Sequence, residues 1–203
     1  MRIQFVVLPL AASAFMACTP TNDASPHRPP DKEASRAAEV HPAGMDMDAK
    51  QRPYDLRFID TMSEHHQMAV DMAKMAASQA GHEELKGFAA KVQKDQEFEI
   101  AQLRSHRDQH FAGKPNAVDH MLPGMMAMPP MDMSKLKAAK GQEFDHHFID
   151  MMIPHHEAAV TMSEDAVKMA TTPALKQMAQ KMVEAQKKEI DQLKSWRSAW
   201  FQH

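Results

Sequence analysis

Residues 55–76 read DLRFIDTMSEHHQMAVDMAKMA, and residues 145–166 read DHHFIDMMIPHHEAAVTMSEDA. The second stretch is the first displaced by 90 positions, without a gap. Phe58/Phe148, Ile59/Ile149, Asp60/Asp150, Met62/Met152, His65/His155, His66/His156, Ala69/Ala159, Val70/Val160 and Met72/Met162 are identical pairs. The correspondence continues through Leu85/Leu175, Gln96/Gln186, Glu99/Glu189, Ile100/Ile190, Leu103/Leu193 and Arg107/Arg197. Residues 55–111 and 145–201 are therefore two copies of one unit, and a repeat of this length defines the fold before any other feature.

Within the first copy, Phe58, Met62, His65, Ala69, Met72 and Ala76 advance by alternating steps of four and three. Leu85, Ala89, Val92, Gln96, Glu99, Leu103 and His106 repeat that spacing. Such spacing is the seam of an amphipathic helix packed in a bundle. Gly81 is placed to stop the first helix. Thr172-Pro173 marks the equivalent break in the second copy, with Thr as N-cap and Pro at the first helical position. Asp55 and Asp145 are candidate starts for the first helix of each copy. Two helical hairpins predict an all-α fold, an antiparallel four-helix bundle with internal pseudo-twofold symmetry. Pro154, where the first copy has Glu64, is expected to kink the third long helix just before its His pair.

Polar residues stand on the core seam, namely His65, Gln96 and Glu99, and again His155, Gln186 and Glu189. A buried polar group without a partner costs about 1–3 kcal/mol. His65 and Glu99 lie at similar sequence distances on either side of Gly81. At about 1.5 Å per residue both fall about 25 Å from that turn, in one layer of an antiparallel hairpin. The pseudo-twofold then brings His65, His66, His155 and His156 with Glu99 and Glu189 towards one level. Bundle-core metal sites are assembled in this way from facing helices. Met62 and Met72, with Met152 and Met162, lie on the same face as candidate thioether ligands. Asp60 and Asp150 are candidates to orient a histidine or to cap the site. The alternative is a polar layer satisfied by His–Glu hydrogen bonds. For Met75, Met169, Met178 and Met182, core packing is the favoured reading, since Met is a common gap-filler.

The segment between the copies, residues 112–134, is different in kind. His120, Met121, Met125, Met126, Met128, Met131 and Met133 sit there among Pro and Gly, which excludes a regular helical stripe. Soft thioethers select Cu(I), and by the same softness Ag(I), over Zn or Mg. Thioethers also persist in an oxidising compartment. These residues are candidate metal ligands. The competing reading is a hydrophobic lid or an interaction loop.

The chain has 203 residues, 20 Met, 13 His and one Cys, with a formal net charge of −3. One Cys excludes an internal disulfide framework and any Cys-rich zinc or iron–sulfur site. The charge balance argues against nucleic acid as a partner. Residues 1–17 carry Arg2 and an apolar run too short to span a membrane, as a secretory signal does. The ending Phe15-Met16-Ala17-Cys18 resembles a bacterial lipoprotein signal, with Phe15 departing from the usual Leu. It predicts lipidation of Cys18 and a membrane partner through that lipid. Cleavage at an ordinary signal site, leaving a free thiol, is the alternative. Thr19 after the Cys resembles the outer-membrane sorting pattern. The expected location is the cell envelope, facing the periplasm. Residues 18–53 lack an apolar period and read as a flexible tether containing His41, Met45 and Met47. Residues 54–203 form the bundle.

The pattern D-x-x-F-I-D-x-M-x-x-H-H-x-x-A-V, present twice, resembles the ferritin-like family catalogued as domain of unknown function 305. The resemblance covers about residues 54–203. It implies a ferritin-like four-helix bundle exported to the cell envelope, with links to copper binding and copper resistance in some members. It also implies a metal role for Asp60, Met62, His65, His66, Asp150, Met152, His155 and His156. Pro154 in place of Glu64, and His146 and His147 in the second copy alone, depart from an even repeat.

The expectation is an exported protein that binds copper, as Cu(I) through Met and His and as Cu(II) through His, without catalysis. Silver is a surrogate cargo, and copper-donating or copper-accepting proteins are candidate partners. A di-iron oxidase is one rival, although each half offers Gln-x-x-Glu where such sites use Glu-x-x-His. A metal-free envelope adaptor using the Met-rich loop is the other.

Overall fold

The computed structural model describes residues 49–201, and every long element in it is helical. The signal segment, Cys18, His41, Met45 and Met47 lie outside the described residues. Four long helices carry the fold: α1 (Tyr54–Gln79), α2 (Glu83–Phe111), α4 (Gln142–Met169) and α5 (Pro173–Trp200). A 3-10 turn (Met125–Ala127) and the short α3 (Met133–Ala138) lie in the connection between the copies. α1 packs along α2, α4 along α5, and the two hairpins meet through α1 and α4. The all-α bundle expected from the repeat is the observed architecture. No helix among the described residues is long and apolar enough to cross a membrane.

The helix limits differ slightly from expectation, for reasons that the contacts make plain. Asp55 and Asp145 do not cap their own helices. Each lies just inside its helix, buried, and reaches across to the turn of the other hairpin. Asp145 accepts from the backbone N–H of Gly81 (2.9 Å) and His82 (3.0 Å), and lies 2.6 Å from His82 Nδ1. Asp55 accepts from Thr171 N (2.8 Å), Thr171 Oγ1 (2.7 Å) and Thr172 N (3.3 Å). These are otherwise unpaired donors at helix N-termini, and a carboxylate there also complements the helix dipole. The start of each first helix is thus tied to the end of the other, so α1 and α4 run antiparallel about a pseudo-twofold.

Gly81 follows an extended cap residue, Ala80. Its glycine identity answers a close approach, because a Cβ there would lie 2.9 Å from the Gly141 carbonyl carbon. Thr172 is the N-cap of α5 with Pro173 at its start, as expected. The Thr172 side chain, however, lies 3.1 Å from His106 Nε2 and does not cap its own helix. α4 continues through Pro154 as one element, although Pro there offers no N–H to the carbonyl four residues earlier.

Buried apolar side chains form two main clusters. One joins Met72, Ala76, Leu85, Val92, Phe144, Phe148, Ile149 and Met152. The other joins Phe58, Ile59, Met62, Leu103, Met162, Ala166, Leu175 and Met182. Each is built from one end of α1 and the opposite end of α4. His65, His66, His155 and His156 belong to neither, and their positions on α1 and α4 place them between the two.

Candidate metal centre

All four paired histidines are buried. Their helical register turns His65 and His155 towards the α1–α4 interface, where the two rings meet tilted, with centroids 3.7 Å apart and planes inclined by 31°. His66 and His156 turn instead towards the partner helix of their own hairpin. His66 Nε2 lies 2.7 Å from Glu99 Oε2, and His156 Nε2 lies 3.0 Å from Glu189 Oε2. The shared layer deduced from helix rise is present in both hairpins. The histidine that meets each glutamate is the second of the pair, because the first faces the pseudo-twofold.

Several polar atoms in this layer are buried without a hydrogen-bond partner. They are both ring nitrogens of His65 and of His155, Nδ1 of His66 and of His156, and both amide atoms of Gln96 and of Gln186. The His65 backbone lies near the His155 ring without reaching hydrogen-bond geometry. Native interiors pair almost all such groups, and each exception costs about 1–3 kcal/mol. The core therefore holds a concentrated set of unused donor atoms in equivalent positions of two copies.

Burial pushes the His65 and His155 imidazoles well below the usual histidine range, and the neighbouring histidines push them further. Both are held neutral, the form that offers a lone pair to a metal. Burial opposes the charge on Glu189. The contacts with His156 and Lys91 outweigh it and hold that carboxyl below its ordinary range.

The thioethers bracket the layer. Met62 and Met162 belong to the apolar cluster on one side, Met72 and Met152 to that on the other, and all four are buried. Among the described residues no three His, Cys, Asp or Glu side chains are already arranged around a common point. The donor set is complete in kind, with neutral imidazoles, carboxylates and thioethers.

Asp60 and Asp150 do not meet the paired histidines. Asp60 accepts from Arg107 (Nε–Oδ1 2.6 Å) and from the Ala117 backbone N–H (2.9 Å). Asp150 pairs with Arg197 (3.0 Å) and lies 3.5 Å from His146 Nε2. Their role is to hold the second helix of each hairpin and, in the first copy, the connecting segment. The repeated pairs Asp60/Asp150 and Arg107/Arg197 carried this signal, since opposite charges recurring together point to a shared ion pair.

The connecting segment is pinned to the bundle. Arg57 pairs with Asp119, whose N–H donates to Thr61 Oγ1 (2.9 Å), and the Gln79 side chain donates to the Ala139 carbonyl (2.8 Å). Gly124 has φ +94°, and a Cβ there would fall 2.2 Å from the Ala158 carbonyl oxygen, two residues beyond His156. Met125 packs on one apolar cluster, Met131 and Met133 on the other. Met128 is half-buried and His120 exposed. Met121 is 39% and Met126 66% exposed. Part of this segment thus covers the bundle, while Met121 and Met126 stay exposed.

The sequence profile of the family described as Domain of unknown function (DUF305) matches residues 55–197. Solved structures share the fold. CopM in the Cu(I)-bound form is 33% identical with a TM-score of 0.63, covering 74% of this chain and 100% of that one. CopM in the Cu(II)-bound form is 36% identical with a TM-score of 0.64 over the same shares. A putative secreted DUF305 protein from Streptomyces coelicolor is 26% identical with a TM-score of 0.62, covering 70% of this chain and 90% of that one. An uncharacterized protein of Acanthamoeba polyphaga mimivirus is 37% identical over 51 residues, 25% of this chain and 34% of that protein. The chain thus spans about a third of the length of that curated relative.

Proposed function

This chain belongs to the family of domain of unknown function 305, and from that premise we propose that it binds copper ions, to buffer them or pass them on, and is not an enzyme. The observation that carries this reading is the buried layer of unpaired donors on His65, His66, Gln96, His155, His156 and Gln186. A fold that only needed a polar layer would satisfy those atoms internally. A bound cation satisfies the imidazoles and returns the cost of burying them. Solved structures of CopM in Cu(I)-bound, Cu(II)-bound and Ag-bound forms support copper as the cargo, with silver as its surrogate.

The donors divide the work by hardness. His65 and His155 offer neutral nitrogens at the centre. His66 with Glu99 and His156 with Glu189 provide harder flanks suited to Cu(II). Met62, Met72, Met152 and Met162 supply thioethers for Cu(I). Met121 and Met126 on the connecting segment offer thioethers to an arriving ion or to a copper-exchanging protein. The proposed setting is the cell envelope, with Cys18 as the lipid attachment point. A di-iron oxidase fits the donor set less well, since Gln96 and Gln186 stand in this layer as carboxamides.

Equilibrium dialysis of the purified protein against Cu(I), Ag(I), Cu(II), Zn(II) and Fe(II) tests the reading. It predicts retention of copper and silver that falls sharply in the His65→Ala/His66→Ala/His155→Ala/His156→Ala variant. Equal retention by that variant contradicts it.

A further inference from the structure

The two halves of the polar layer are not equivalent, and a lysine makes the difference. In the second half, Glu189 turns Oε2 to His156, while its outer oxygen, Oε1, lies 3.0 Å from Lys91 Nζ. The Lys91 ammonium also lies 2.7 Å from Asp95 Oδ2, one turn along α2. Lys91 is 60% exposed, whereas the Glu189 side chain is only 10% exposed. The lysine therefore stands between solvent and the glutamate. Phe88, Lys91, Ala185, Lys188, Glu189 and Gln192 line an open groove of about 400 Å³ there.

In the first half, Glu99 faces His66 in the same manner, yet among the described residues no lysine or arginine pairs with it. The repeat explains why. The counterpart of Lys91 is Lys181, but the counterpart of Asp95 is Ala185. The Lys91 ammonium is shared between Asp95 on its own helix and Glu189 on the facing one, and α5 has no carboxylate at the position matching Asp95 to share Lys181 in the same way. One substitution between the copies thus leaves one glutamate open and the other already holding a cation.

Resting on the copper-binding reading above, we infer that Lys91, positioned by Asp95, is a tethered cation seated on Glu189, so that the His156–Glu189 half takes up a metal cation more weakly than the His66–Glu99 half. An entering ion must displace the ammonium and is repelled by it, whereas Glu99 presents a free oxygen. The site is then graded, with one half filling before the other. Because the ammonium is largely exposed, its effect is modest, up to about fivefold in affinity.

The test is calorimetric titration with Cu(II) alone, on chains reduced to one half-site. His66→Ala leaves the second half, and His156→Ala leaves the first. Circular dichroism verifies that each variant is folded. On the His66→Ala background, Lys91→Met tightens Cu(II) binding by up to about fivefold, and on the His156→Ala background it changes nothing. On the His156→Ala background, Ala185→Asp weakens binding by a similar factor by steering Lys181 onto Glu99. Equal affinities of the two halves, or no response of the second half to Lys91→Met, overturn this inference alone. A wild-type chain whose Cu(II) binding ignores both His66→Ala and His156→Ala overturns the copper reading beneath it.

Discussion

His65 and His155 face each other with ring centroids 3.7 Å apart at the crossing of α1 and α4, and none of their four ring nitrogens has a hydrogen-bond partner. The contact joins equivalent residues of two copies, so it lies on the pseudo-twofold that relates the hairpins. In this orientation the two neutral imidazoles make no hydrogen bond to each other. On the copper-binding reading proposed above, each keeps a ring lone pair available to a metal.

The titration of these two residues sets a pH dependence. Both are held below their unfolded value of about 6.5. The unfolded chain therefore binds more protons, and stability rises with pH through that interval. Their contribution is complete above about pH 6.5 and is lost as pH falls towards the folded-state value, at up to about 1.4 kcal/mol per pH unit for each group. Urea unfolding of the metal-free protein between pH 7.5 and 5, as approximate limits, is expected to show this decline. The His65→Leu/His155→Leu variant is expected to flatten it.

Gln96 and Gln186 test the cost of the layer. Each buries an amide whose oxygen and nitrogen lack partners. Replacing both with Leu is expected to stabilise the metal-free protein by about 1–3 kcal/mol per site, since an apolar side chain of similar size removes an unsatisfied group. Stabilisation by added Ag(I), read from the thermal midpoint, measures what the same change does to metal uptake. A fall in metal-free stability contradicts the assignment of these amides as unpaired.

Asp145 and Asp55 are expected to be the most sensitive links between the hairpins. Asp145→Ala strips three contacts from the Gly81–His82 turn. A loss of about 3 kcal/mol is expected, with a similar loss for Asp55→Ala. Chemical denaturation measures both. Changes below about 0.5 kcal/mol would show that water replaces the carboxylate at these turns.

Much of this was legible from one internal comparison. The offset between copies set the helix seams, and the rise per residue placed a histidine and Glu99 in one layer. What escaped were links between hairpins. Asp145 and Gly81 lie 64 residues apart, and Asp55 and Thr171 lie 116 apart. No local spacing reports such contacts, and at the start of a helix each Asp reads naturally as that helix's own cap. The orientation of Asp60 is hidden for a related reason. Its place on the helix of the His pair suggests a supporting contact, but its register points it to Arg107. Copy identity also conceals asymmetry, because the seating of Lys91 on Glu189 depends on a position where the repeats differ, Asp95 against Ala185.

Gly124 governs the connecting segment. Its positive φ and its approach to the Ala158 carbonyl leave no room for a side chain. Gly124→Ala is expected to cost about 1–3 kcal/mol locally and to lift the Met125–Ala127 turn from α4. Limited proteolysis is expected to cut residues 120–133 faster in this variant, with α1 and α4 still protected. Unchanged cleavage would show that the segment is held elsewhere.

Anomalous diffraction from crystals loaded with copper tests the central claim most directly. Peaks in the buried layer formed by His65, His66, His155 and His156, between the two apolar clusters, are the result predicted. Peaks confined to surface residues such as His120, Met121 and Met126, with the four histidines unmoved and the layer empty, would contradict it.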